Sequence, residues 1–211
     1  MLFGGLAALL HVGCGAPPCS SSTACGPGLV CGLDGRCSAL EDPDGARFAG
    51  SRWLEARDWG LSSRRARPLD DGLWLGGRDG GEGLLAFGPL PGRSAILRAL
   101  LVLHPHDAAS HVDQPGELAV EHVEPFRGGS LPPRARVGPR AFLAGLHVLP
   151  AGPPRPVRVD VTAAARDAAG RRDRTLYLLV RVERAGEEGI SLASPWALGE
   201  RVQPRLELML H

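Results

Sequence analysis

The sequence predicts an all-β fold: a two-sheet antiparallel β-sandwich of jelly-roll-like kind with one short helix, preceded by a small disulfide-rich segment. Three observations carry this. All five cysteines of the 211-residue chain lie between Cys14 and Cys37. From about Phe48 onward, apolar and polar residues alternate at period two. The 29 glycines and 19 prolines cut the chain into short runs, which suits strands joined by turns. A hydrophobic share of 44% is too high for a disordered chain. Glycine shows no three-residue period, which excludes collagen. No run of eighteen apolar residues is present to span a bilayer. All the basic charge is arginine, and the net charge of +1 gives no global attraction to nucleic acid or an anionic membrane.

This reading divides the chain into a signal segment over 1–13, a cysteine-rich segment over 14–40, a linker over 41–49 and a sandwich over 50–211. The opening run Met1 to Leu10 is short and apolar and leads to Gly13 and Cys14. It resembles a bacterial lipoprotein leader, with Cys14 as the lipidated residue. Gly13 and Val12 fit that pattern, His11 stands where a leucine is usual, and the first arginine is Arg36, so the basic start of a leader is missing. A plain secretory leader and a chance apolar start remain alternatives. The lipoprotein reading implies a bacterial envelope protein, outer-membrane anchored, whose lipid is its only membrane attachment; the plain leader implies secretion.

Cys19, Cys25, Cys31 and Cys37 follow at even spacing. Four cysteines in so short a stretch cannot enclose a core, so they staple a knot of turns at Gly26-Pro27-Gly28 and Asp34-Gly35. Three connectivities are open. Zinc is the alternative, but structural zinc sites favour closer cysteine pairs, and five-residue gaps throughout favour disulfides. The segment resembles short cysteine modules that follow the leader in surface proteins of some GC-rich bacteria. Asp42-Pro43-Asp44-Gly45 looks like the start of a calcium loop, yet the later ligands are absent and a linker turn is the reading.

In the body, Pro156 to Val161 sets three valines against Arg158 and Asp160. Thr175 to Glu183 sets Leu176, Leu178, Val180 and Val182 on one face. Arg205 to Leu210 sets Leu206, Leu208 and Leu210 inward, with Arg205 and Glu207 outward. One face to core and one to water is the signature of an antiparallel sheet. Ala95 to Leu103 differs: Leu100 and Val102 make its second face apolar, predicting a central strand covered on both sides. Glu117 to Val123 sets Leu118 and Val120 against Glu117, Glu121 and His122. Shorter strands are expected at Leu73–Leu75, Leu84–Phe87, Phe142–Val148 and Ile190–Ala193, with turns at Gly80-Gly81, Gly128-Gly129 and Gly152-Pro153-Pro154. No clear strand pattern emerges around Trp53 to Leu61. Thr162 to Gly170 is helix-forming, with Thr162 placed to cap and Gly170 to terminate.

Leu84 to Gly92 with Ile96 to Leu103, then Val159-Asp160-Val161-Thr162-Ala163-Ala164, then Gly189 to Ser194 and Pro204 to Leu208 form a succession. It resembles the DNRLRE-type β-sandwich domain, which is related to carbohydrate-binding and disaggregatase-associated modules. The resemblance covers roughly 50–210. It implies a sandwich fold and a carbohydrate-binding function. Gly88 stands where the family has an aspartate. Pro195-Trp196 replaces the family's late acidic residue, and Glu200 follows.

Chemistry is sparse. The chain has no Gly-x-Ser-x-Gly elbow, no cysteine nucleophile outside the knot and no phosphate-binding glycine loop. Asp70, Asp71, Asp79, Glu121 and Glu124 are the carboxylates a glycosidase could use. His104, His106 and His111 could hold a metal, but no supporting ligand lies at the right spacing. Tryptophans beside arginines suit sugar rings, which nominates Trp59, Trp196, Arg64, Arg65 and Glu200 as ligand-binding candidates. Trp53 and Trp74 are the remaining tryptophans, and Trp74 reads as core. Arg134, Arg136 and Arg140, and Arg171, Arg172 and Arg174, form further basic groups. The expected function is a non-catalytic exported module that binds polysaccharide, acidic glycans included. A structural or adhesion module contacting a surface protein is the alternative, and a polysaccharide hydrolase is a distant third. No metal, cofactor or nucleic acid is called for.

Overall fold

The computed structural model describes residues 18–19, 22–26, 29–32, 35–39, 50–61, 72–75, 82–104, 116–126, 142–149, 156–184, 190–193 and 203–211. The leader with Cys14, the linker with Asp42 and Asp44, and the three predicted glycine turns lie outside them. The chain forms two compact units, Met1–Leu40 and Glu41–His211.

In the first unit, β1 (Leu29–Cys31) and β2 (Cys37–Ala39) form an antiparallel hairpin with Cys31 opposite Cys37. Its turn closes through Gly32 N–H to the Arg36 carbonyl at 2.8 Å. Gly35 sits there at φ 70°, a left-handed conformation that glycine adopts without steric cost. Two disulfides, Cys19–Cys31 and Cys25–Cys37, interlace across the hairpin with Cα–Cα distances of 5.7 and 5.6 Å. A 3-10 turn over Ser22–Ala24 lies alongside, and the buried Ser22 hydroxyl accepts the Cys31 N–H at 3.0 Å.

The second unit contains β3 (Gly50–Leu61), β4 (Gly72–Leu75), β5 (Gly83–Phe87), β6 (Ile96–Leu103), β7 (Gly116–His122), β8 (Phe142–Leu149), β9 (Val157–Asp160), helix α1 (Thr162–Ala169), β10 (Leu176–Arg184), β11 (Ile190–Ala193) and β12 (Arg205–Leu210). Eight strands are hydrogen-bonded antiparallel in the order β8-β7-β10-β5-β3-β12-β6-β9, while β4 and β11 form a separate pair. The long strand β3 makes this one order into two sheets. Its first half pairs with β12, its second half with β5, and the register shifts between Ala56 and Asp58. At the far ends, β8 and β9 approach within 8 Å between Cα atoms.

The inner faces share one core. Leu54, Ala99, Leu101, Leu103, Val159, Leu206 and Leu208 come from the sheet of β12, β6 and β9. Leu85, Phe87, Leu118, Val120, Leu176, Leu178 and Val180 come from the other sheet. The period-two pattern thus delivers what two stacked sheets require. Leu75 of β4, Leu192 of β11 and four alanines of α1, Ala164, Ala165, Ala168 and Ala169, join the same core. An eight-residue helix is marginal alone, and this alanine face is what holds it. No helix among the described residues is long and apolar enough to cross a membrane.

Three local expectations need correction. β3 is a twelve-residue strand where no strand pattern was legible. Thr162 does not cap α1 with its own side chain. It is the first helical residue, and Asp160 Oδ1 accepts its N–H at 2.9 Å. His122 does not share the polar face with Glu117 and Glu121. It pairs with Leu178, in line with Leu118 and Val120, and its side chain is 7% exposed. Gly170 does end the helix, but in the right-handed region at φ −79°.

Candidate functional site

The four nominated disulfide cysteines are placed, and their pairing is now specified. The Cys19, Cys25 and Cys37 sulfurs lie within 4.8 Å of one another, but all are consumed in disulfides and offer no thiolate to a metal. Among the ligand-binding candidates, Arg64, Arg65, Trp196 and Glu200 lie outside the described residues, as do Asp70, Asp71, Asp79, His106 and His111. The Trp59 backbone sits in β3 opposite Leu85. Glu121 is held by Arg181 at 2.7 Å, which leaves it a structural ion pair more than a catalytic carboxylate.

The Asp160-Val161-Thr162 junction, part of the family resemblance, works as a fastening. The Thr162 hydroxyl donates to Asp160 Oδ1 at 2.6 Å and accepts the Ala99 N–H at 2.9 Å. Asp160 Oδ2 takes Arg98 Nε at 3.2 Å. Arg166 reaches from α1 to the Ile96 and Leu97 carbonyls at 2.9 and 3.0 Å. Every polar group here ties β9 and α1 to β6, which satisfies buried donors and leaves little for a ligand.

The outer face of the β12-β6-β9 sheet carries a row that looks like a sugar site on paper: Trp53, Glu207, Leu100 and Asp160 in register. Its centre is closed to solvent, with Glu207, Leu100, Val102 and Met209 each 0% exposed and Arg158 4%. Glu207 and Arg158 therefore do not face water as the alternation of β12 and β9 predicts, while Trp53 and Asp160 at its ends are half-buried. The predicted double covering of β6 therefore holds. Burial pulls the Arg158 guanidinium below its ordinary pKa, and nearby Glu207 works against that shift. The Arg205 guanidinium lies 5.8 Å over the Trp53 ring, a cation–π contact that gives this tryptophan a packing role.

The opposite outer face, on β5 and β10, is where a site opens. An open pocket of about 750 Å³ is lined by Arg57, Ala86, Pro125, Phe126, Asp173, Thr175 and Tyr177. Alternation along β10 sends Leu176 and Leu178 to the core and Tyr177 to this face, opposite Ala86 of β5. After β7 the chain turns back so that Val123 and Phe126 pack on Leu84, Ala86 and Leu179. Phe126 meets Tyr177 edge to face, with centroids 5.3 Å apart and planes at 71°. The Tyr177 hydroxyl donates to Asp173 Oδ2 at 3.2 Å. Arg57 sits exposed beside the register shift of β3. Among the described residues the pocket thus combines the half-buried Tyr177 ring with one guanidinium and one carboxylate, while Ala86, Phe126 and Thr175 of its lining are buried.

Gly88 has a steric reason to be glycine. A Cβ there would stand 3.0 Å from both the Arg174 carbonyl oxygen and the Thr175 hydroxyl. The turn after α1 packs against β5 at that point, and Leu90 N–H donates to the Arg174 carbonyl at 2.8 Å. Of the Arg171, Arg172 and Arg174 group, Arg171 is engaged by Asp167 at 2.9 Å.

The pocket residues escaped sequence reading because Tyr177 reads as one outward position among several. Pro125, Phe126 and Asp173 lie outside any strand or helix. The one available signal was Tyr177 itself, the single tyrosine of the chain, on the polar side of a well-patterned strand. Compared with known proteins, the chain matches no family model and no curated protein.

Proposed function

We propose that this protein is an exported, non-catalytic β-sandwich that binds carbohydrate in the pocket formed by Arg57, Asp173 and Tyr177. The observation that carries this reading is the lining itself. Sugars present C–H faces and hydroxyl edges together, and they are bound by aromatic surface flanked by a few fixed donors and acceptors. Tyr177 supplies the first, since Phe126 packed against it is only 3% exposed, and Arg57 and Asp173 supply the second. The resemblance to the DNRLRE-type domain points the same way. Two disulfides within one small unit suit an oxidising compartment outside the cytosol, which supports export. Lipidation at Cys14 belongs to the same reading, and an acylated Cys14 is expected in the mass spectrum of the mature amino terminus.

A glycan array, followed by pulldown on insoluble polysaccharides, tests the binding. The expected result is retention on at least one glycan class, lost when Tyr177→Ala is introduced while the thermal melt still shows a folded sandwich. Absence of binding across the array, acidic glycans included, would end the reading.

A further inference from the structure

The geometry points to a short ligand: we propose that the Arg57–Asp173–Tyr177 pocket takes a chain end or a free short oligosaccharide and does not lie along an extended polymer. This inference rests on the carbohydrate reading above. The shape argues for it first. Residues from β3, β5, β10, the segment after β7 and the turn after α1 line one concavity. A volume of about 750 Å³ lies within the class of small-ligand pockets, roughly 300–1,000 Å³. A polymer-binding surface would instead present coplanar rings along a flat face. Here Phe126 is 3% exposed and stands at 71° to Tyr177, so among the described residues of the pocket only Tyr177 offers a ring and no flat platform forms.

The second argument is preorganisation. Arg174 adopts φ 47°, a left-handed conformation uncommon for a residue with a side chain and found at sites where surrounding contacts enforce it. It lies between Asp173 and Thr175, both of which line the pocket. The turn is fixed three times: by Leu90 N–H on the Arg174 carbonyl at 2.8 Å, by the Thr175 hydroxyl on the Asp173 carbonyl at 3.1 Å, and by close packing on Gly88. The Asp173 carboxylate is thereby held where it accepts the Tyr177 hydroxyl, with acceptor capacity left for a sugar hydroxyl. Ordering these groups in advance lowers the entropic cost of gripping a ligand with few contacts, which is what a short sugar offers.

The experiment is titration calorimetry on the full chain with oligomers of glucose, N-acetylglucosamine and galacturonate, from one unit to six, alongside cellulose, chitin and polygalacturonate. Affinity is expected to level off by about the third unit. Asp173→Asn and Arg57→Ala should each weaken binding by about tenfold, the loss expected for a hydrogen bond to a charged group. Arg57 is exposed, so its replacement leaves the fold intact even if the Asp173 variant does not fold. Arg172→Ala, outside the pocket lining, should change nothing. Affinity that climbs steadily through six units, or that ignores both pocket variants, would overturn the short-ligand proposal while leaving carbohydrate binding in place. Failure of every oligomer and polymer to bind would take both down.

Discussion

The two units of this chain are held together by opposite means. The first has only Ser22, Val30, Cys31, Gly32 and Cys37 buried among its described residues, and two interlaced disulfides supply what so small a core cannot. The second has no cysteine and relies on apolar burial across two sheets, from Leu54 to Leu208. The contrast shows where precision is available. A knot of turns stapled by cystines offers backbone and small side chains, whereas the sandwich offers rigid strands on which side chains keep fixed positions. The pocket accordingly lies on β5 and β10, with a turn and a loop fastened to them.

The contrast can be broken from either side. Phe87 is fully buried at the centre of the core, paired between Leu176 and Ala56. Phe87→Ala should cost the sandwich about 3–5 kcal/mol, read by urea unfolding followed through tryptophan fluorescence, while hydrogen exchange in the first unit stays unchanged. The reciprocal variant is Cys31→Ser with Cys19→Ser, which opens one bridge of sequence separation 12. It should cost the first unit about 3 kcal/mol, seen as lost exchange protection over β1 and β2, with the sandwich transition unmoved. A sandwich that melts early in the cysteine variant would show that the two units share stability and would remove the contrast.

How legible this was in the sequence depended on whether a single period ran through an element. β12, β10 and β9 keep strict alternation, so their core faces were readable residue by residue. β6 was readable even in its exception, because Leu100 and Val102 announced the second buried face. β3 was not readable, and the register explains why. Positions opposite core-facing partners are even before the shift, at Leu54 and Ala56, and odd after it, at Trp59 opposite Leu85. A strand that passes between two sheets at a bulge has no single parity to detect. The pocket was not legible in the sequence, because none of the nominated Trp59, Trp196, Arg64, Arg65 and Glu200 is among the described residues that line it. The expectation rested on tryptophans beside arginines, whereas the pocket is lined by Arg57, Asp173 and Tyr177. The residues meet only through folding: β3 brings Arg57, β10 brings Tyr177, and the turn after α1 brings Asp173.

His122 gives the smallest effect and the sharpest local test of the burial side of the contrast. It is a titratable group placed by strand parity in the core line of β7. Its Nδ1 lies 3.9 Å from Asp167 Oδ2, and its buried Nε2 has no hydrogen-bond partner among the described residues. Burial lowers its pKa below 6.5, Arg171 just past the helix lowers it further, and Asp167 opposes both. Protonation would add a charge to a buried ring whose Nε2 has no hydrogen-bond acceptor among the described residues. The folded state therefore prefers the neutral ring. Above about pH 6.5 both folded and unfolded chains hold it neutral and its contribution is complete. As pH falls through 6.5 the unfolded chain takes up a proton first, so stability declines until the lowered folded pKa is passed. One such proton limits the slope to about 1.4 kcal/mol per pH unit. The other histidines titrate in the same range, so the quantity to measure is the difference between the parent and His122→Gln in urea unfolding from pH 5 to 8. The parent should lose more stability toward pH 5 than the variant does. Equal slopes would mean that water or a counter-charge reaches the ring, and that the inner face of β7 is less dry at its end than at Val120.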